Sequence, residues 1–408
     1  MRKLNLPTLI VFLSSMLILS CSNDDNAGDE ETQTVTQAEV IANHANIVYQ
    51  SYQDSYDAAL IMQTAIADFV ENPTDTGFDA AKQAWLDARE PYGQTEVYRE
   101  TNSPVDVDES ATTPWGVGNE GQMNAWPIDE SYIDYVAVGT ESHAGNYSSI
   151  ISDIDVALDE NTLAELNEQD TDKSISTGWH AIEFLLWGQD ITSPSDDLPG
   201  QREFTDYTTA DYADRRGEYL EIVTSLLLTD LKSLVDTWNT GGTYRTIFEN
   251  LDEEVALQQL INGAFFIAGD ELSAERMIAP VDSTDGFENS GQEDEHSCFS
   301  DNTHRDIFAN ATGVYNVVFG EYDAISGASF YELVNQADEA QAASLKEAAD
   351  EAISKVNAIA NNAQPFDYLI TQESSSDTTF GPVMEAVAAL QAWGDEISAS
   401  ASVIGINL

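Results

Sequence analysis

Basic residues are scarce in this chain of 408 residues, which has 15 lysines and arginines against 73 aspartates and glutamates. The formal net charge at pH 7 is −58. Such an acidic surface repels nucleic acid and anionic lipid head groups. Partners that would require a basic patch on this protein are therefore excluded. Two explanations of the acidity stay open: adaptation to salty surroundings, favoured by the even spread of acids, and recruitment of cations.

Long hydrophobic runs are also scarce, and the clearest is "LPTLIVFLSSMLILS" at residues 6–20. It follows Arg2 and Lys3, and this order of a basic start, a short apolar core and a small residue predicts a secretory signal peptide over residues 1–20. The run is too short to be a convincing membrane-spanning helix. We therefore expect an exported protein.

The chain has only two cysteines, Cys21 and Cys298. The stretch "LILSC" at 17–21 is similar to a bacterial lipobox, in which the cysteine thiol is acylated, and residues 21–35 then form a flexible tether. An ordinary signal peptide with an incidental cysteine is the alternative. Lipidation would leave Cys298 without a disulfide partner and would anchor the protein to the cell envelope, at the outer membrane.

Alternating strand patterns are scarce, and helical periodicity dominates the chain. The pattern predicts an all-α fold of two helical-bundle domains, at 36–205 and 206–408. The predicted helices are 36–70, 77–100 with a kink at Pro91, 174–188, 211–239, 243–280, 300–322, 328–361 and 381–402.

Histidine is rare as well, and one of the five lies in "GWHAIEFLLWGQD", residues 178–190. His180 and Glu183 are three residues apart, so a helix places them on one face. Apolar neighbours predict burial, which is costly for ionisable groups without partners, and Gly178 allows a close approach. The pair is either a structural lock or a set of metal ligands. Phe184 completes neither HExxH nor HxxEH, which counts against ordinary zinc-peptidase chemistry.

A second cluster is "EDEHSCFSDNTHRDI", residues 293–307. One interpretation is a solvated acidic loop. The sharper one is that Glu295 and His296 reach toward the His180 site while Asp301 caps the next helix, with His304 one turn further along.

A third cluster is "REPYGQTEVYR", residues 89–99. Arg89, Glu96 and Arg99 lie together there, and basic residues retained in so acidic a chain predict buried ion pairs or carboxylate binding.

Four stretches together carry a family resemblance: "GWHAIEFLLWGQD", "AREPYGQTEVYR", "NAWPIDESYIDYV" and "SCFSDNTHRDIFANATGVYNVVFG". They resemble segments of the imelysin family, whose signature is Gly-x-His-x-x-Glu. The resemblance implies two helical bundles with the signature near their interface. It also implies an exported, often lipid-anchored bacterial protein of iron uptake or regulation, and it brings a peptidase label.

Three functions follow from these observations. The first is an envelope lipoprotein that binds iron, another metal or an iron-bearing ligand through His180 and Glu183, with Glu96, Glu295 and His296 as further ligands. The alternatives are a metallopeptidase using zinc and an interaction protein with a structural His–Glu pair. We prefer binding over enzymatic activity. The expected partners are the membrane, through the N-terminal lipid, and components of iron uptake, but not nucleic acid.

Overall fold

The computed structural model describes residues 34–106, 120–137, 149–376 and 381–408. The predicted signal peptide at 1–20, the predicted lipidation site Cys21 and nearly all of the tether at 21–35 lie outside the described residues. The all-α prediction is confirmed, since the sheet among the described residues is a single two-residue hairpin.

The first two helices form an antiparallel pair near the start of the fold. Helix α1 spans Gln37–Glu71 and helix α2 spans Asp75–Gly93. Thr36 and Thr74 are their N-caps, each accepting a backbone hydrogen bond from the first turn, which satisfies an otherwise unpaired donor. The predicted helix 77–100 ends at Gly93, having continued through Pro91, and a 3₁₀ turn over Glu96–Tyr98 follows.

Short elements carry the chain from α2 to the histidine motif. Helices α3 (Glu120–Asn124), α4 (Glu130–Ile133) and α5 (Glu160–Leu166) precede α6 (Gly178–Trp187). Every residue of α6 is buried, which agrees with its apolar composition. This ten-residue helix makes almost three turns in the core and carries His180 and Glu183.

The following segment was predicted as two helices but is more broken. Helix α7 spans Ala213–Trp238, and the predicted helix 243–280 is divided into α8 (Thr243–Phe248), α9 (Glu253–Phe266), a π-helix (Ile267–Ile278) and α10 (Ala279–Asp282). Periodicity alone does not distinguish π from α winding. Short π segments are frequent at functional sites because they shift side chains relative to an α-helix.

The C-terminal part contains the remaining elements. They are α11 (Thr303–Phe319), β1 (Glu321–Tyr322), β2 (Ile325–Ser326), α12 (Phe330–Ala337), α13 (Glu339–Ala360), α14 (Phe366–Ile370) and α15 (Pro382–Val403). The hairpin is antiparallel, with Glu321 opposite Ser326 and Tyr322 opposite Ile325. The predicted helix 328–361 breaks at Asp338, whose side chain caps α13 by accepting from the amides of Ala340 and Gln341.

Residues Val35–Leu408 form one compact unit. Helix α1 packs along α2 and also along α7, while α13 packs along α15 and α11 contacts both α2 and α13. Helices from both sides of residue 205 therefore share contacts, and the division into bundles at 36–205 and 206–408 stays a prediction. Among the described helices, none is both long enough and apolar enough to cross a membrane.

Candidate functional site

Gly178 at the start of α6 allows the motif helix to lie against α3. Its φ is +84°, and a Cβ atom at this position would lie 2.3 Å from the carbonyl oxygen of Met123. Only glycine tolerates both the conformation and the contact. The predicted close approach at Gly178 is therefore confirmed, and the neighbouring backbone is that of α3.

His180 and Glu183 form a buried pair on one face of α6. The Nδ1 atom of His180 lies 2.9 Å from Oε2 of Glu183, and the two residues are 1% and 0% exposed. The other carboxylate oxygen, Oε1, accepts hydrogen bonds from the backbone amide of Ser300 at 2.9 Å and from its hydroxyl at 2.6 Å. Both oxygens of Glu183 are thus engaged by protein groups.

Burial governs the protonation of this pair. Burial raises the pKa of Glu183 to about 8, against the opposing effect of the Ser300 hydrogen bond. The pKa of His180 is lowered well below its usual value, first by burial and then by the neighbouring His296. His180 is consequently a neutral imidazole at neutral pH, which is the form that binds metals.

The other ring nitrogen of His180, Nε2, is buried and has no hydrogen-bond partner among the described residues. The ring centroids of Trp126 and His296 each lie 4.8 Å from that of His180. An unpaired buried nitrogen is energetically unfavourable unless a ligand or water engages it. This atom marks the centre of the candidate site.

His296 lies beside His180, as predicted, and is 4% exposed. Its Nε2 atom is 3.4 Å from the side-chain nitrogen Nδ2 of Asn124. Its Nδ1 atom is 3.4 Å from Oδ2 of Asp306. Burial, followed by the charge of Arg276, lowers the pKa of His296 to about 4. A second neutral imidazole therefore faces the first.

Arg89 forms a buried network of contacts beside the histidine pair. Its guanidinium contacts Asp306 at 3.1 and 3.3 Å and donates to Oδ1 of Asn124 at 2.7 Å. Burial disfavours the charged form of Asp306, yet Arg89 and His296 hold the pKa of this carboxyl well below its usual range. The predicted buried ion pair of Arg89 is confirmed, with its partner in α11.

Glu96 belongs to a second ionic network, which Asn124 connects to that of Arg89. It accepts from Asn124 at 2.9 Å, from Arg276 at 2.8 Å and from Arg99 at 3.3 Å. Burial opposes its ionisation, but Arg276 and Arg99 lower its pKa to about 2. Glu271 of the π-helix also contacts Arg99 and Arg276, at 3.0 and 3.1 Å.

Close packing of α9 positions the turn that carries Glu96. A Cβ atom at Gly263 would lie 2.1 Å from the carbonyl oxygen of Val97, so a larger residue would push the turn away. The backbone of α9 at Gly263 therefore lies directly against the backbone of the turn that carries Glu96.

A cleft with a volume of about 780 Å³ leads to these groups. Its lining includes Arg99, Asn124, Trp126, Arg276 and His296, together with exposed residues at the rim. His296 is therefore the histidine of the pair that borders the cleft. His180 lies behind it.

The other predicted site residues lie elsewhere. Glu295 is buried, and the charges that act on it most are those of Asp367 and Asp301. The Nδ1 atom of His304 contacts the backbone oxygen of Asp301 at 3.0 Å. The prediction that Asp301 caps α11 is wrong, because Asn302 is the N-cap and the helix begins at Thr303.

Three residues of the site were not predicted individually as site residues, although Asn124 and Trp126 lie in the family-like stretch "NAWPIDESYIDYV". Asn124 bridges the two ionic networks, Arg276 pairs with Glu96, and Trp126 packs on His180. Arginine is rare in this chain, and that scarcity could have drawn attention to Arg276.

The fold and site define an all-α protein with a buried histidine pair set between ionic networks. Residues 48–393 match the imelysin family, peptidase M75, and the chain belongs to this family. The match covers most of the described structure, including both histidines.

Two relatives are similar to this chain. Iron-regulated protein A of Synechococcus elongatus is 24% identical over 303 residues, which span 71% of this chain and 66%, just under two thirds, of that relative. A crystal structure from Parabacteroides distasonis, described as that of an iron-regulated protein A precursor, superposes with a TM-score of 0.66. It is 17% identical, and the alignment covers 92% of this chain and 97% of the other. This second likeness establishes the fold.

Proposed function

We propose that this imelysin-family chain is an iron-associated protein of the bacterial cell envelope that binds a metal ion, foremost iron, at His180 and His296. The observation that carries the proposal is the buried Nε2 atom of His180, which has no hydrogen-bond partner among the described residues and faces the ring of His296. Neutral imidazoles suit iron and zinc, and the carboxylates nearby suit iron.

Glu183 acts in this proposal as an orienting residue. In metal sites a carboxylate commonly accepts from the second ring nitrogen of a ligating histidine, which fixes the tautomer. The 2.9 Å contact between Glu183 and Nδ1 of His180 has this arrangement and leaves Nε2 for the ion. Direct ligation, the role first predicted for Glu183, would use the second lone pair of Oε2, because Oε1 already accepts two hydrogen bonds from Ser300.

Glu96 supports the site through Asn124 and is an acidic candidate for a further contact to the bound ion. Its present partners are Arg276, Arg99 and Asn124. Ligation by Glu96 would use the second lone pair of Oε1, because Oε2 already accepts from both arginines. Glu295 joins a different cluster, so we do not include it among the proposed ligands.

The iron association rests on the family and on the name of the Synechococcus relative. Export and lipid anchoring rest on the N-terminal sequence, with Cys21 as the lipid attachment site. A lipoprotein in the envelope meets incoming metal before it enters the cell, which agrees with a role in iron uptake.

The test is a melting series on protein purified without an affinity tag and stripped of metal. Ferrous, ferric and zinc ions are added separately to the parent, to His180→Ala and to the control His304→Ala, which removes a histidine outside the site. We expect a metal-dependent rise in melting temperature for the parent and the control but not for His180→Ala. A hundredfold excess over the dissociation constant stabilises the folded state by about 2.7 kcal/mol.

A purely structural role of the His180–Glu183 pair makes a different prediction. If the pair only stabilises the core, removing the imidazole leaves Glu183 buried beside a gap and costs about 3–5 kcal/mol without metal. That loss, together with no metal response in the parent, contradicts the proposal. Peptidase assays on the same metal-free and metal-loaded samples test the enzymatic alternative.

A further inference from the structure

A second group of ionisable side chains lies apart from the histidine pair. Asp190, Asp301 and Asp367 each offer one carboxylate oxygen, and these three oxygens lie within 4.8 Å of one another. Asp190 and Asp367 are buried, and Asp301 is half-buried. We call these three residues the aspartate triad.

The triad joins three separate segments of the chain. Asp190 follows the C-terminal end of α6, Asp301 lies in the loop before α11, and Asp367 lies in the first turn of α14. Converging carboxylates from distant segments repel one another and oppose folding unless a cation or protons neutralise them.

The surrounding charges increase this repulsion. Burial is the largest cause that raises the pKa of Asp301, to about 9, and the charges of Asp190, Asp367, Asp197 and Glu183 follow. Burial likewise raises the pKa of Asp367 to about 7, followed by Asp190 and Asp197 among the charges. The neighbouring charges that act most on these two groups are acidic.

Glu295 supplies a second, independent observation. It is 1% exposed, and its Oε1 atom has no hydrogen-bond partner among the described residues. After burial, the charges of Asp367 and Asp301 contribute most to the raised pKa of Glu295, which indicates that its carboxyl group lies beside the triad. An unpaired buried carboxyl oxygen next to three carboxylates lacks the electrophilic partner that a cation supplies.

We propose that the aspartate triad is a calcium-binding site, with Glu295 beside it. All of its ligand atoms are oxygens, which favours a hard cation over zinc or copper. Calcium accepts six to eight oxygens at variable angles, which suits carboxylates contributed by irregular segments, whereas magnesium requires near-octahedral geometry and releases water reluctantly. The proposal does not depend on metal binding at His180.

The site has a structural consequence for the motif helix. Asp301 is adjacent to Ser300, which donates two hydrogen bonds to Glu183. A calcium ion shared by Asp301, Asp190 and Asp367 ties this loop to the end of α6 and to α14. Calcium therefore holds Ser300 in the position where it fixes Glu183.

The experiment is a calcium titration of the full chain after treatment with chelator, at constant ionic strength. Melting temperature and bound calcium, from equilibrium dialysis, are measured for the parent, Asp301→Asn and Asp367→Asn. Asp197→Asn is the matched control, since it makes the same charge change at an exposed neighbour outside the triad. Equal concentrations of magnesium measure non-specific screening of the acidic surface.

We expect calcium to raise the melting temperature of the parent and of Asp197→Asn more than magnesium does. The two triad variants should bind calcium at least about tenfold more weakly, because even the hydrogen-bonding partners of metal ligands typically contribute about 10- to 100-fold. They should fold without calcium, since each substitution removes a repelling charge. Asp190→Asn repeats the test at the third triad position if one of these variants does not fold.

Three results would overturn the proposal: no calcium response in the parent, an undiminished response in both triad variants, or binding of magnesium as tight as that of calcium. His180→Ala separates the two sites. It should keep the full calcium response, and loss of that response would assign the ion to the histidine pair instead.

Discussion

The Nδ1 atom of His180 lies 2.9 Å from Oε2 of Glu183, and the remaining oxygen of Glu183 is held by Ser300. Burial raises the pKa of Glu183 to about 8, and a cation at Nε2 of His180 favours the ionised form. When ionised, Glu183 can only accept, so it fixes the proton of His180 on Nδ1 and leaves a lone pair on Nε2. The carboxylate thereby determines which imidazole nitrogen is available to a ligand.

Glu183→Gln tests this control of the tautomer. The amide keeps the size of the side chain and can still accept from Ser300, but its NH₂ group donates toward Nδ1. His180 then carries its proton on Nε2, where it blocks a metal. We expect metal affinity to fall by about 10- to 100-fold, measured by calorimetric titration of iron and zinc.

Ser300→Ala is the matched control for that variant. It removes one of two hydrogen bonds to Glu183 and leaves the backbone amide and the carboxylate in place. We expect a smaller loss of affinity than for Glu183→Gln. Equal metal affinity in the parent and Glu183→Gln would argue against a role for the tautomer.

The motif helix and its histidine–glutamate pair could be predicted from sequence. The predicted helix 174–188 matches α6 at 178–187 because its apolar residues surround the pair on every side. His296 beside His180 is also confirmed. These predictions depended on local pattern and on the rarity of histidine.

The partners of the arginines could not be predicted in the same way. Asp306 is 217 residues from Arg89, and Glu96 is 180 residues from Arg276. With 73 acidic residues in the chain, charge complementarity offers each arginine too many partners. Tertiary packing selects among them, and the π-helix that aligns Glu271 with Arg276 has no separate sequence period.

Arg276→Met tests the network around Glu96. The variant leaves Glu96, which is 2% exposed, with only Arg99 as a cationic partner. We expect it to lose up to about 3 kcal/mol in the free energy of unfolding, since losing one partner of a buried ion pair is costly and Arg99 still compensates part of the charge. Urea denaturation measures the loss.

Two further variants separate charge burial from other effects. Adding Glu96→Gln to Arg276→Met should recover part of the stability, because the unpaired charge is gone. Arg305→Met breaks a pair that is 31% and 38% exposed and should cost less than about 1 kcal/mol. Similar losses for Arg276→Met and Arg305→Met would contradict the argument from burial.

His44 predicts a specific dependence of stability on pH. Its ring is surrounded by Tyr98, Trp238 and Phe248, and burial lowers its pKa to about 3. The unfolded chain binds this proton near pH 6.5 and the folded chain does not, so stability falls as pH decreases from 6.5 toward 3. The slope from this one group is about 1.4 kcal/mol per pH unit.

His44→Phe removes that contribution while keeping an aromatic ring. The difference in unfolding free energy between parent and variant should change by about 1 kcal/mol between pH 6.5 and 5.5, with the parent losing more on acidification. Urea denaturation at a series of pH values measures it. Parallel pH profiles would show that His44 does not titrate as its burial requires.

Cys21→Ser tests the predicted lipid anchor. The thiol is the acylation nucleophile of the lipobox-like "LILSC", so the variant should accumulate as unlipidated precursor or as a soluble form. Fractionation of bacterial membranes from expressing cells measures the distribution. Cys298→Ser is the control and should fractionate as the parent does, and unchanged membrane association of Cys21→Ser would reject the lipobox.

The net charge of −58 predicts that stability rises with salt. Compaction brings like charges together, and their repulsion is screened as the Debye length shortens from about 10 Å at 0.1 M salt to about 3 Å at 1 M. Urea midpoints in increasing NaCl, on protein freed of divalent cations with chelator, should therefore increase. The same series with bound calcium should rise less, since calcium already neutralises part of the buried negative charge at the triad. A flat response in chelated protein would mean that the acids are compensated locally by the basic residues, against the excess of acidic over basic side chains.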